Sequence, residues 1–189
     1  MARGRNRKGK EGRRGLASLL ARLVGERGAA TIEFAIIFPV LFAVFASTLE
    51  LGIYLTRQVM LDRAVDLTVR AIRLSSDRGA ITHDAVKRMI CDNIGIVSNC
   101  TRSVRVRLDV VDPASWQFPQ APVSCVDRRA EIQPVVTLTP GQPGDIMLMS
   151  VCLVVDPLFP GATLGLRLEQ DASGGVYIYS RTAFVNEPA

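Results

Sequence analysis

One stretch of this chain limits its fold more than any other. From Phe34 to Leu49 it reads FAIIFPVLFAVFASTL, sixteen residues without a charge. Extended to Leu55, the run crosses one carboxylate, Glu50, and reaches roughly 22 residues, enough to span a hydrocarbon core at about 1.5 Å per residue of helix. Pro39 lies inside it, where it removes a backbone donor and predicts a kink of the kind membrane helices tolerate. A chain of 189 residues has room for such an anchor and one modest domain. The apolar content of 48% and the mean hydropathy of +0.22 fit a membrane segment.

The charge is concentrated on one side of this run. Residues 1–28 carry nine lysines and arginines against Glu11 and Glu26, a formal balance of +7. The whole chain is +5, so the remainder is −2. The alkaline character therefore belongs to a basic arm and not to a basic domain. Residues 1–28 contain no aromatic side chain, and single-strand nucleic-acid grooves interleave aromatics with their cations. The arm is read as a topology signal, with no nucleic acid as partner. The positive-inside rule then puts residues 1–28 in the cytoplasm and the C-terminal part across the inner membrane, in the periplasm. A conventional cleavable signal, cut after Val44-Phe45-Ala46, competes with this reading. Against it, the apolar run continues past Ala46, and Glu33 gives an ordinary signal no advantage.

Between arm and apolar run stands Gly28-Ala29-Ala30-Thr31-Ile32-Glu33-Phe34. This junction resembles the processing site of type IV pilins and pseudopilins, particularly those of tight-adherence (Flp, or Tad) systems. The resemblance implies a prepilin peptidase that cuts on the cytoplasmic side between Gly28 and Ala29, making Glu33 the fifth residue of the mature chain. A carboxylate at the edge of the hydrocarbon costs a few kcal/mol unless compensated. The cut would create an ammonium group at Ala29, about one helical turn from Glu33. In a stack of subunits the amine of one could pair with the Glu33 of its neighbour, setting axial register. Glycine, without a Cβ, also suits a substrate that enters a protease cleft extended. The plainer reading is that Glu33 complements a helix N-terminus, for a few tenths of a kcal/mol.

Helical periodicity continues beyond the apolar run. Leu55, Val59, Leu61, Ala64, Val65, Leu67, Ala71, Ile72 and Leu74 recur at helical spacing, with Arg57, Asp62, Arg63, Asp66, Arg70 and Arg73 on the other face. One face is expected to pack on the chain's own domain and another to remain available to a partner. Glu50, about 25 Å beyond Glu33 along the helix, is expected to be a solvated residue at the outer membrane boundary. Taken together, Gly28, Glu33, Phe34, Pro39, Glu50-Leu51-Gly52 and the stretch Asp62–Leu74 are similar to the TadE/TadG family of minor pseudopilins. Looser matches are the turn Pro140-Gly141-Gln142-Pro143-Gly144-Asp145 and the closing residues 181–188. The family implies other pilins or pseudopilins and a pilus assembly platform as partners, and adhesion, biofilm formation or secretion as downstream traits.

The organisation expected is a leader over 1–28, a pilin-like helix over 29–76 with its membrane segment at about 34–55, and an exported domain over 77–189. Asp77-Arg78-Gly79 breaks the helix, and Thr82 caps a second one reaching about Ile90. Residues 103–110 alternate polar and apolar, a half-buried strand. Glu131–Leu138, interrupted by Pro134, Ile146–Val155, and Val176–Ser180 continuing into Thr182–Val185 are further strand candidates. The irregular loop between Pro113 and Ser124 carries Trp116 and Phe118, aromatics that could pack onto the sheet. A helix with an antiparallel sheet makes the fold class α+β.

All four cysteines, Cys91, Cys100, Cys125 and Cys152, lie on the proposed exported side, where disulfides form. Three pairings are possible. Favoured are Cys91–Cys100, closing a short loop, and Cys125–Cys152, tying a loop to a strand. A metal site is poorly supported, since no C-x-x-C occurs and His83 is the only histidine. No nucleophile motif, P-loop or dinucleotide fingerprint is present, so neither a cofactor nor catalysis is expected. The alternative function is a single-pass envelope protein whose exported domain binds a ligand or partner and never enters a filament.

Overall fold

The computed structural model describes residues 26–187 except 76–78, 80, 96, 120–121, 131, 134–135, 137 and 161–168. Most of the basic leader, Asp77, Arg78, Glu131, Pro134 and the end of the 157–164 loop therefore lie outside the described residues. The chain divides into two units, Met1–Ala46 and Ser47–Ala189. Helix α1, Glu26–Arg73, supplies the described part of the first and the opening element of the second. The helix runs through Pro39 without a break in its assignment.

In the second unit, α2 spans His83–Ile94. The Thr82 hydroxyl accepts the Ala85 N–H at 3.3 Å, an N-cap worth ~1 kcal/mol. The helix runs a turn past the expected Ile90 because Ile94 also buries itself in the core, and Gly95 stops it at φ 69°. A short α3, Cys100–Ser103, leads into β1, Val104–Val111. Then come β2, Ile146–Val155, and β3, Val176–Val185, which form one antiparallel sheet in the order β1-β2-β3. Val106 lies opposite Val151, which lies opposite Ser180. The two final strand candidates are thus one strand. The turn before β2 is clasped by Asn186, whose Nδ2 donates to the Pro140 carbonyl at 2.9 Å while Gly144 N–H donates to the Asn186 carbonyl at 2.9 Å.

Alternation explains the layering. Met147, Met149, Val151 and Leu153 of β2 share one face with Val106 and Leu108 of β1 and Ile178 of β3. They pack with Leu61, Val65 and Ile72 of α1 and Val86 and Ile90 of α2. Each such burial contributes roughly 1.5–3 kcal/mol. The other face of β2 is buried as well, where the Cys125–Cys152 disulfide holds the segment 122–130 against it. The second bridge, Cys91–Cys100, joins α2 to α3. Both favoured pairings are present.

Of the 131–138 strand candidate, residues 131, 134, 135 and 137 lie outside the described residues, and Leu138 forms an isolated parallel bridge with Leu108. One expectation fails here. Trp116 and Phe118 are not buried against the sheet. They are 58% and 41% exposed and face each other at 6.4 Å. The Asp112 turn, which accepts N–H bonds from Ala114 and Trp116, carries Trp116 at φ 49°.

Candidate functional site

The junction and the start of α1 belong to the first unit. Gly28 and Ala29 lie within the helix. Glu33 is exposed, and no ion pair engages it among the described residues. From Ile32 to Phe45 ten large apolar side chains are 45–67% exposed, and they point to every side of the helix. Phe34, Phe38 and Phe42 stack one turn apart, with ring centroids at 5.2 and 5.8 Å. A helix this apolar all round is stable only against lipid or other helices. It is the one described helix long and apolar enough to cross a membrane. The charge asymmetry that would orient it lies mostly outside the described residues.

In the second unit, α1 has two unlike faces. Leu61, Ala64, Val65, Val69 and Ile72 are buried in the core at i, i+3, i+4 spacing. Polar contacts reinforce this face. The Gln58 amide donates to the Tyr179 carbonyl at 2.7 Å, Arg57 donates to the Asp156 carbonyl at 2.6 Å, and Arg73 pairs with Glu187 at 2.6 Å. On the other face Leu51, Leu55, Val59 and Leu67, with Leu74 just past the end of the helix, remain 39–66% exposed. The expected division between a packed face and an available one holds.

Glu50 corrects an expectation. It is not a solvated boundary residue but only 6% exposed. Its carboxylate accepts the Leu158 N–H at 2.9 and 3.1 Å and the Phe159 N–H at 2.9 Å. A buried carboxylate requires such donors. They are backbone groups more than a hundred positions away, so no side-chain pattern announces them.

A second buried carboxylate, Asp171, was also missed. Its side chain is fully buried, with Arg128 Nε at 2.8 Å and the N–H groups of Ser173 and Gly175 at 3.0 and 2.7 Å. Burial pushes its carboxyl up, but the bonds from Arg128, Ser173 and Gly175 outweigh this and hold it well below the usual carboxylate range. Arg128 also reaches Asp156 at 2.7 Å, and its pairing with both carboxylates raises it above the ordinary arginine value. The short Asp171-Ala172-Ser173-Gly174-Gly175 segment is the available signal, since Asp and Ser before glycines mark such turns.

The four site cysteines are used in disulfides, and no cluster of three or more metal-ligating side chains occurs among the described residues. His83 is half-buried, with Nε2 at 2.8 Å from the Val136 carbonyl.

No curated protein and no solved structure gives a significant match to the chain. A family model does: residues 28–70, from the junction glycine through most of the packed half of α1, match the family described as TadE-like protein.

Proposed function

We propose that the protein is a minor pilin or pseudopilin that takes part in assembly of a Tad-type pilus. The observation that carries this reading is the coincidence of the TadE-like segment, residues 28–70, with a helix apolar on every side at its start and two-faced farther on. The leader is cytoplasmic and the second unit periplasmic, in keeping with the charge asymmetry. The burial of Glu50 against the 158–159 backbone supports a membrane segment that ends near Ser47, short of the Leu55 expected from hydropathy. Residues 30–47 would then span about 27 Å, close to a hydrocarbon core.

In this role the prepilin peptidase cuts between Gly28 and Ala29. The new ammonium pairs with the exposed Glu33 of a neighbouring subunit and fixes register. The stripe of Leu51, Leu55, Val59, Leu67 and Leu74 continues the contact with other pilins beyond the membrane. Intact mass and N-terminal sequencing of protein extracted from membranes of a Tad-competent host test the first step. A mature terminus at Ala29 supports it. An uncut chain, or one starting at Ser47, overturns it and favours the single-pass envelope protein.

A further inference from the structure

β1 was expected to turn a solvated polar face outward, yet Arg105 is only 5% exposed. The reason is the segment 122–130, which the Cys125–Cys152 disulfide holds over that face of the sheet, Cys152 being the cross-strand neighbour of Arg105. The guanidinium donates to Ser124 Oγ at 3.2 Å and to the Gln133 side-chain carbonyl at 2.7 Å. Both acceptors are neutral. No carboxylate among the described residues lies within ion-pair distance of it, and burial lowers its affinity for the proton.

Arg128, which lines the same cavity, shows the contrast. It is matched by Asp156 and Asp171, whereas among the described residues no counter-charge meets the buried Arg105, a costly arrangement for a structural arginine.

The cavity is an open polar pocket of about 700 Å³. Lys87 of α2 and Arg102 of α3 line it beside Arg105, and neither is engaged in an ion pair among the described residues. Among the described residues Lys87, Arg102, Arg105 and Arg128 line the pocket with Asp127, which accepts the Arg129 N–H at 3.0 Å, and Asp156, while Asp171 pairs with Arg128. The excess is one positive charge. A strand and two helices supply the lining donors, among them the hydroxyls of Thr101 and Ser103. That suits a tetrahedral oxyanion better than a planar carboxylate, which a single arginine fork satisfies.

We propose that this pocket binds a small phosphorylated molecule, with Arg105, Arg102 and Lys87 holding the phosphate group. The site is independent of the pilus reading, since none of its residues lies in α1.

The test is calorimetric titration of the full chain in detergent micelles, at constant ionic strength, with inorganic phosphate, glycerol 3-phosphate and acetate. Saturable binding of the two phosphates, tighter than that of acetate, is expected. Lys87→Gln and Arg102→Gln should each weaken it by about 5–10-fold. Both side chains reach solvent, so these variants should keep the wild-type unfolding midpoint. Arg105→Lys keeps the charge but loses the fork, and should weaken binding by about tenfold or more. Absence of saturation up to about 10 mM phosphate overturns the proposal. So does phosphate affinity unchanged in a folded Lys87→Gln/Arg102→Gln double variant, or acetate bound as tightly as phosphate.

Discussion

The carboxylate of Glu50 on α1 holds the backbone N–H of Phe159 at 2.9 Å, joining the start of the second unit's helix to the loop that follows β2. Glu50→Ala should remove the acceptor from two part-buried N–H groups and destabilise the domain by ~1 kcal/mol. Glu50→Gln keeps one oxygen and should cost less. Denaturant unfolding in detergent, followed by circular dichroism, reads both. An unchanged midpoint in the alanine variant would remove the structural role assigned to this contact.

The Asp171–Arg128 pair makes stability depend on acid. Its carboxyl is held below the value it has in the unfolded chain, so its contribution is complete above about pH 4 and is lost as pH falls through the native value. Asp171→Asn should cost ~3 kcal/mol at pH 7, because it leaves Arg128 with one partner and breaks a buried pair. The gap between wild type and variant should then narrow steadily below about pH 4. A gap that stays constant down to pH 2 would contradict the assignment.

The disulfides should contribute unequally. Cys125–Cys152 closes a separation of 27 residues and Cys91–Cys100 one of 9. Chain entropy makes the first more stabilising by roughly 1 kcal/mol, about 3.6 against 2.7. Paired serine substitutions compared by unfolding midpoint check this order. Loss of the longer bridge should also release the segment around Cys125, readable as faster amide exchange at its buried residues Val123 and Val126.

For Glu33, the expectation concerns assembly and not folding. Glu33→Gln should insert in the membrane and retain the wild-type unfolding midpoint, yet co-purify less with other pilins. A normal pilus count in cells carrying only this variant would remove the register role.

The sequence disclosed what periodicity encodes. β2 and β3, the Thr82 cap, both disulfide pairs and the two-faced half of α1 follow from spacing, turn chemistry and cysteine placement. What stayed hidden depends on backbone groups brought from far away. Glu50 looked like a boundary residue because its partners, the N–H groups of Leu158 and Phe159, are common to almost every residue type. Arg105 looked solvated because alternation describes a strand alone and not the loop a disulfide lays over it. Of the junction, the composition showed a basic leader and an apolar helix, while Gly28 and Glu33 acquired meaning only through resemblance.

The described part of helix α1 includes Gly28 and Ala29, so the peptide bond between them is helical. A peptidase that takes its substrate extended can act there only after that turn melts. Gly28 eases the opening, since it favours helix less than alanine by roughly 1 kcal/mol. Helix–coil relaxation takes about a microsecond or less, far faster than ordinary enzymatic turnover. Processing would therefore draw on a rapid pre-equilibrium, in which glycine sets the population of the cleavable form as well as fitting the cleft.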